Sequence, residues 1–185
     1  SHLAADIIKA TYPSLQIIIR SNYGLPNISD RELKEYLIIA SSYSGNTEEV
    51  VDGLKKAYKK KLNIICIAIG GKILRFAKKN QTPYIQIPDT DIQPRSALGL
   101  SLRAMLKSMG LNKTLASTDI VAGKLRSGVY EKRGKKIARL LKNKIPVIYT
   151  SEANFDLAYN WKIKLNETGK IPAFYNVLPE LNHNE

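Results

Sequence analysis

The 185-residue chain is 44% hydrophobic, 24% charged and 8% aromatic, a balance that builds an ordinary buried core and excludes collagen-like, low-complexity and disordered chains. No apolar run approaches the roughly 18 to 20 residues a spanning helix needs, and the amino terminus lacks the basic, apolar and small-residue pattern of a secretory signal, so a cytoplasmic protein is expected. The net charge of +13 raises a nucleic-acid reading, but Lys55, Lys56, Lys59, Lys60 and Lys61 close one helical pattern and Lys132, Arg133, Lys135 and Lys136 lie on another. Apart from the single Tyr58 no aromatic side chains are interleaved as a series of stacking platforms, so solvated helix faces explain these runs and no nucleic-acid partner is expected.

In chain order, short β-branched runs alternate with longer helical patterns. Strands are predicted over 15–20, 36–40, 63–69, 84–87, 146–150 and 173–177, and helices over 3–10, 47–61, 72–79, 96–109, 113–125, 134–142 and 154–168. This alternation predicts an α/β fold, a doubly wound parallel sheet flanked by helices. The single cysteine, Cys66, falls inside the apolar run 63–69 and reads as packing. Between Gly110 and Gly134 two helical stretches follow one another without a strand. The expected organisation is therefore a first domain over 1–110, a helical linker over 111–133 and a second, partial domain over 134–185. Only two strands follow the linker, too few for an independent parallel sheet, and the chain enters a helical pattern at once with no strand feeding it. A piece of a longer chain, short of its first strand, is the expectation.

The run Ser42-Tyr43-Ser44-Gly45-Asn46-Thr47 joins a predicted strand to a predicted helix. Such turns line the ligand crevice of open α/β sheets, and a helix amino terminus offers N–H groups and partial positive charge to a phosphate. Ser42, Ser44 and Thr47 add three hydroxyls, and Gly45 lets backbone approach an anion. A plain capping box, with Asn46 or Thr47 as cap, is the alternative, though capping needs only one hydroxyl. The run matches neither the Walker loop nor the three-glycine dinucleotide pattern.

Four motifs carry a resemblance to the bifunctional phosphoglucose/phosphomannose isomerases of the sugar isomerase (SIS) superfamily. They are Ser41 to Glu49, Gln93 to Gly99, Lys164 to Glu167 and Pro179 to Glu185. The resemblance implies SIS-type domains, the second of them incomplete, and interconversion of glucose 6-phosphate, and also mannose 6-phosphate, with fructose 6-phosphate through a cis-enediol. It implies Glu167 as the base, His183 as the group that assists ring opening, and Arg95 beside the sugar. Ser42, Ser44, Thr47 and Ser1 are the implied phosphate ligands, Ser1 resembling the last residue of a glycine-rich turn whose glycines are absent here. Glu180 and Glu185 are rival carboxylates for the base.

The resemblance also implies a homodimer in which the histidine reaches the neighbouring subunit's site. No cofactor or metal is expected, since the sequence has no spaced cluster of His and Cys ligands. A non-catalytic sugar-phosphate sensor is the alternative from another class. It would keep the phosphate loop and lack a complete active site.

Overall fold

The computed structural model describes residues 2–184, the side chain of Asn184 excepted. The chain divides into two compact units, one over Leu3–Asp119 and one from Ile120 onward. Among the described residues no helix is long and apolar enough to cross a membrane.

In the first unit, helices α1 (His2–Thr11) and α2 (Asp30–Leu33) precede strand β1 (Leu37–Ser41). Helix α3 (Glu48–Lys59), strand β2 (Asn63–Ala68), helix α4 (Gly71–Lys79) and strand β3 (Tyr84–Gln86) follow, then helices α5 (Leu98–Ser108) and α6 (Asn112–Lys124). The sheet order is β1-β2-β3, all parallel, with Leu37 opposite Asn63 and Cys66 opposite Tyr84. Period-two alternation divides the strand residues between two faces. Ala40, Ile64, Cys66 and Ala68 pack with Leu54, Ala57, Ile73, Leu74 and Ala77 of α3 and α4. Ile39, Ile67 and Ile85 pack with Leu100, Ala104 and Met105 of α5 on the other face. Helices therefore cover both faces, which is why these strands read as continuous apolar runs.

The predicted strand over 15–20 does not form. Its residues alternate between half-buried and exposed, as an extended segment would, but they join no ladder. Residues 16–20 and 37–41 line a common cleft of about 520 Å³, and β1 stays at the sheet edge. β-Branched composition makes the segment extended, whereas strand pairing requires a partner in register. Three strands, not the expected four, thus precede the linker region. Helix α5 starts at Leu98, two residues later than predicted, because Pro94–Ser96 form a separate 3-10 turn. The short α2 was not predicted; Ser29 and Glu32 hold it with a reciprocal capping box.

In the second unit, helix α7 (Ser127–Leu141) leads to strand β4 (Val147–Ser151), helix α8 (Phe155–Glu167), strand β5 (Phe174–Leu178) and a terminal turn of helix, α9 (Leu181–Asn184). Helix α7 begins seven residues before the predicted start at Gly134, because that glycine sits within the helix with open space around it. Strands β4 and β5 are parallel, Val147 opposite Phe174. Tyr175 of β5 meets Phe155 and Tyr159 of α8 at ring-centroid distances of 5.6 and 5.7 Å. Each such edge-to-face pair is worth about 0.5–1.5 kcal/mol beyond its buried area, and together they fix α8 on the sheet.

Candidate functional site

Strand β1 continues its ladder for one residue beyond its end, the Ser42 N–H donating to Ile67 O at 3.0 Å. The chain then turns sharply. The Ser42 hydroxyl oxygen accepts from the Gly45 N–H at 3.2 Å and pairs with the Thr47 hydroxyl at 2.7 Å. The Ser44 hydroxyl accepts from the Asn46 N–H at 3.2 Å. Gly45 has φ +72°, and a Cβ there would stand 2.0 Å from the Gly70 carbonyl oxygen. Only glycine fits such an approach.

Thr47 is the N-cap of α3, yet its side chain makes no capping bond. The hydroxyls are thus not spent on a capping box, and the first turn of α3 keeps its N–H groups facing the loop side. Ser42 is buried within the turn, while Ser44 and Thr47 are exposed at its rim. Glu48 and Glu49 also lie in that first turn and oppose an anion. Beside them the Tyr23 phenol is pushed above its usual range, first by Glu49 and then by burial and Glu48. A unit charge pair at 4 Å costs about 1 kcal/mol in water, whereas each hydrogen bond to a charged group contributes about 1.5–3 kcal/mol.

The segments that follow β1, β2 and β3 all leave the same edge of the sheet, because the strands are parallel. The 42–47 loop and the turn at Gly70 and Gly71 therefore share one edge; Arg95 is half-buried in the 3-10 turn that precedes α5. Glu167 and His183 belong to the second unit and are both exposed. Glu167 is the last residue of α8, which returns the chain to the start of β5; His183 lies in α9, beyond the end of β5. The two are therefore carried to opposite ends of a strand that alone spans roughly 13 Å. The structure brings Ser42, Ser44 and Thr47 together and separates Glu167 from His183 within one copy. Ser1 lies outside the described residues.

Residues 130–185 match the bacterial phospho-glucose isomerase C-terminal SIS domain. The chain is 34% identical over 164 residues to a bifunctional phosphoglucose/phosphomannose isomerase of Aquifex aeolicus, covering 89% of this chain and 50% of the relative. It is 36% identical over 185 residues to the protein of that name from Caldicellulosiruptor bescii, covering 92% and 53%. The chain belongs to this isomerase family. A D-glucosamine-6-phosphate 4-epimerase of Sulfolobus acidocaldarius is also similar, at 32% identity over 154 residues, 80% of this chain and 49% of the relative. The chain spans about half the length of the curated relatives it matches.

For this isomerase-family chain, reading the loop alone misses how it is held. The Ile69 N–H donates to Tyr43 O at 2.9 Å and the Ile73 N–H to Gly45 O at 3.0 Å. The Asn46 side-chain oxygen accepts from the Lys72 N–H at 3.1 Å. The run Ile69-Gly70-Gly71-Lys72 is itself a strand-to-helix turn beside the first, and that was the available signal. The buried Tyr43 phenolic oxygen, with no hydrogen-bond partner among the described residues, left no signal in the sequence.

Proposed function

We propose that this chain carries the phosphate loop and chemical groups of an aldose–ketose isomerase that interconverts glucose 6-phosphate, and mannose 6-phosphate, with fructose 6-phosphate. The observation that carries the proposal is the hydroxyl-lined, uncapped turn from Ser42 to Thr47, standing in a chain similar over most of its length to enzymes of that name. Ser42, Ser44, Thr47 and Ser1 hold the phosphate. Arg95, permanently charged, stabilises the enediolate oxygen.

Glu167 takes the C2 proton of the opened aldose, and the C–H electron pair becomes the enediolate double bond. A proton moves from O2 to O1, and Glu167 returns its proton to C1 to give the ketose. His183 assists ring opening, an imidazole being suited to proton transfer near neutral pH. Because Glu167 and His183 lie at opposite ends of β5, a complete site draws its histidine from a second copy, so the proposal includes a homodimer, and with it a cytoplasmic enzyme. It also includes SIS-type domains over 1–110 and 134–185 joined by a helical linker over 111–133.

A coupled assay of fructose 6-phosphate formation tests the reading, with Glu167→Gln alongside. Loss of the base should lower kcat by about 10²–10⁴-fold. Unchanged kcat would sink the base assignment. Calorimetric binding of fructose 6-phosphate without turnover in the unsubstituted protein would favour a sensor instead. EDTA should leave the rate unchanged, since the carboxylate carries the proton.

A further inference from the structure

The turn between β2 and α4 contacts the phosphate loop from behind. Gly71 has φ +71°, and a Cβ there would stand 2.4 Å from the Ser44 carbonyl oxygen, 2.7 Å from the Gly45 carbonyl carbon and 2.8 Å from the Asn46 side-chain oxygen. Gly45 approaches the same turn from the other side, its missing Cβ falling against the Gly70 carbonyl group and 3.1 Å from the Ala68 Cβ. The two turns thus interlock: Gly70 leaves no room for a side chain on Gly45, and residues 44–46 leave none for a side chain on Gly71. Three hydrogen bonds sew the turns together, from the Ile69, Lys72 and Ile73 N–H groups to Tyr43, Asn46 and Gly45 respectively. Asn46, in the loop ahead of α3, satisfies an N–H in the first turn of α4 instead.

From this arrangement we infer that Gly71 and Asn46 are positioning residues of the phosphate site. They set where Ser44, Gly45 and the start of α3 stand before any ligand arrives. The inference rests on the 42–47 loop being the phosphate site. A loop already fixed in its binding shape loses little freedom when it takes an anion. A side chain at Gly71 pushes the Ser44 and Gly45 backbone outward, and a misplacement of about 1 Å can cost on the order of 100-fold. Losing the Asn46 side chain removes one tie and leaves the backbone ties in place, so its effect is smaller.

Fructose 6-phosphate binding by calorimetry, initial-rate kinetics and thermal unfolding, on the unsubstituted protein and on Gly71→Ala, Asn46→Ala and Ser44→Ala, test this. Gly71→Ala should weaken binding on the order of 100-fold. Asn46→Ala should raise KM about 10-fold with kcat within about twofold, the split expected when only uniform binding is lost. If Ser44→Ala weakens binding while Gly71→Ala and Asn46→Ala bind like the unsubstituted protein, the positioning inference is overturned and the phosphate site stands. If the unsubstituted protein binds no fructose 6-phosphate, both are overturned. Should Gly71→Ala fail to fold, Asn46→Ala decides: an unchanged KM, or an equal loss in kcat, overturns the inference.

Discussion

Tyr43 sits in the 42–47 loop with its ring packed on the α5 face of the sheet and its phenolic oxygen buried without a hydrogen-bond partner among the described residues. A buried hydroxyl of that kind costs about 1–3 kcal/mol. Tyr43→Phe should therefore raise stability by about 1 kcal/mol in denaturant titration. Weaker fructose 6-phosphate binding in the same variant would show instead that the hydroxyl serves the ligand. Asp52 gives a pH-dependent counterpart in the first turns of α3. Its carboxylate accepts from Lys56 at 2.8 Å and from the Gly24 N–H at 2.7 Å. The Lys56 hydrogen bond, ahead of the Gly24 contact, lowers its pKa. A depressed carboxylate stabilises the fold above its unfolded pKa, and that stability is lost as pH falls through the lower folded value. Melting temperature should accordingly fall on acidification below about pH 4, and Asp52→Asn should flatten the fall. The Cys66 thiol, pushed to about 11 by burial, should react with thiol reagents only when the protein opens. Only the burial of Cys66 was legible in the sequence, from its apolar run; the surroundings of Tyr43 and Asp52 depend on neighbours folded in from elsewhere in the chain.

Among elements, all five strands that form begin and end within one residue of their predicted bounds, the half-exposed β4 and β5 as well as β1 and β2. In β1 and β2 the signal is the apolar run that helices on both faces demand, and in β4 and β5 it is the β-branched and aromatic composition. The segment 15–20 has the same composition and forms no strand, because a strand is defined by a partner that composition does not reveal. The hydroxyl loop was legible as a local string of residues. Its tie to Lys72 was not, because it joins residues 26 positions apart. Helix α7 contains no buried residue among those described, so its stability depends on local propensity more than on packing. Gly134 lies within it with open space where a Cβ would be. Gly134→Ala should raise stability by about 0.5–1 kcal/mol, read by far-UV circular dichroism on heating. No gain would mean that α7 unfolds independently of the transition measured.

At the scale of the whole molecule, the resemblance in four motifs reached the family, while the alternation of strand and helix patterns alone reached only an α/β chain. What the motifs could not convey is which end of the second sheet each residue occupies. Glu167 closes α8 and His183 follows β5, so one copy carries them apart. The proposed dimer should appear in sedimentation at several protein concentrations, and a monomer throughout would remove the shared site. The same separation predicts complementation between two inactive proteins. When Glu167→Gln and His183→Ala subunits are unfolded together and reassembled, random pairing makes half of the dimers mixed. Each mixed dimer then holds one site with both groups intact and one with neither, so about a quarter of the original activity should return. If both groups served a site within their own subunit, no mixture of the two variants would recover any.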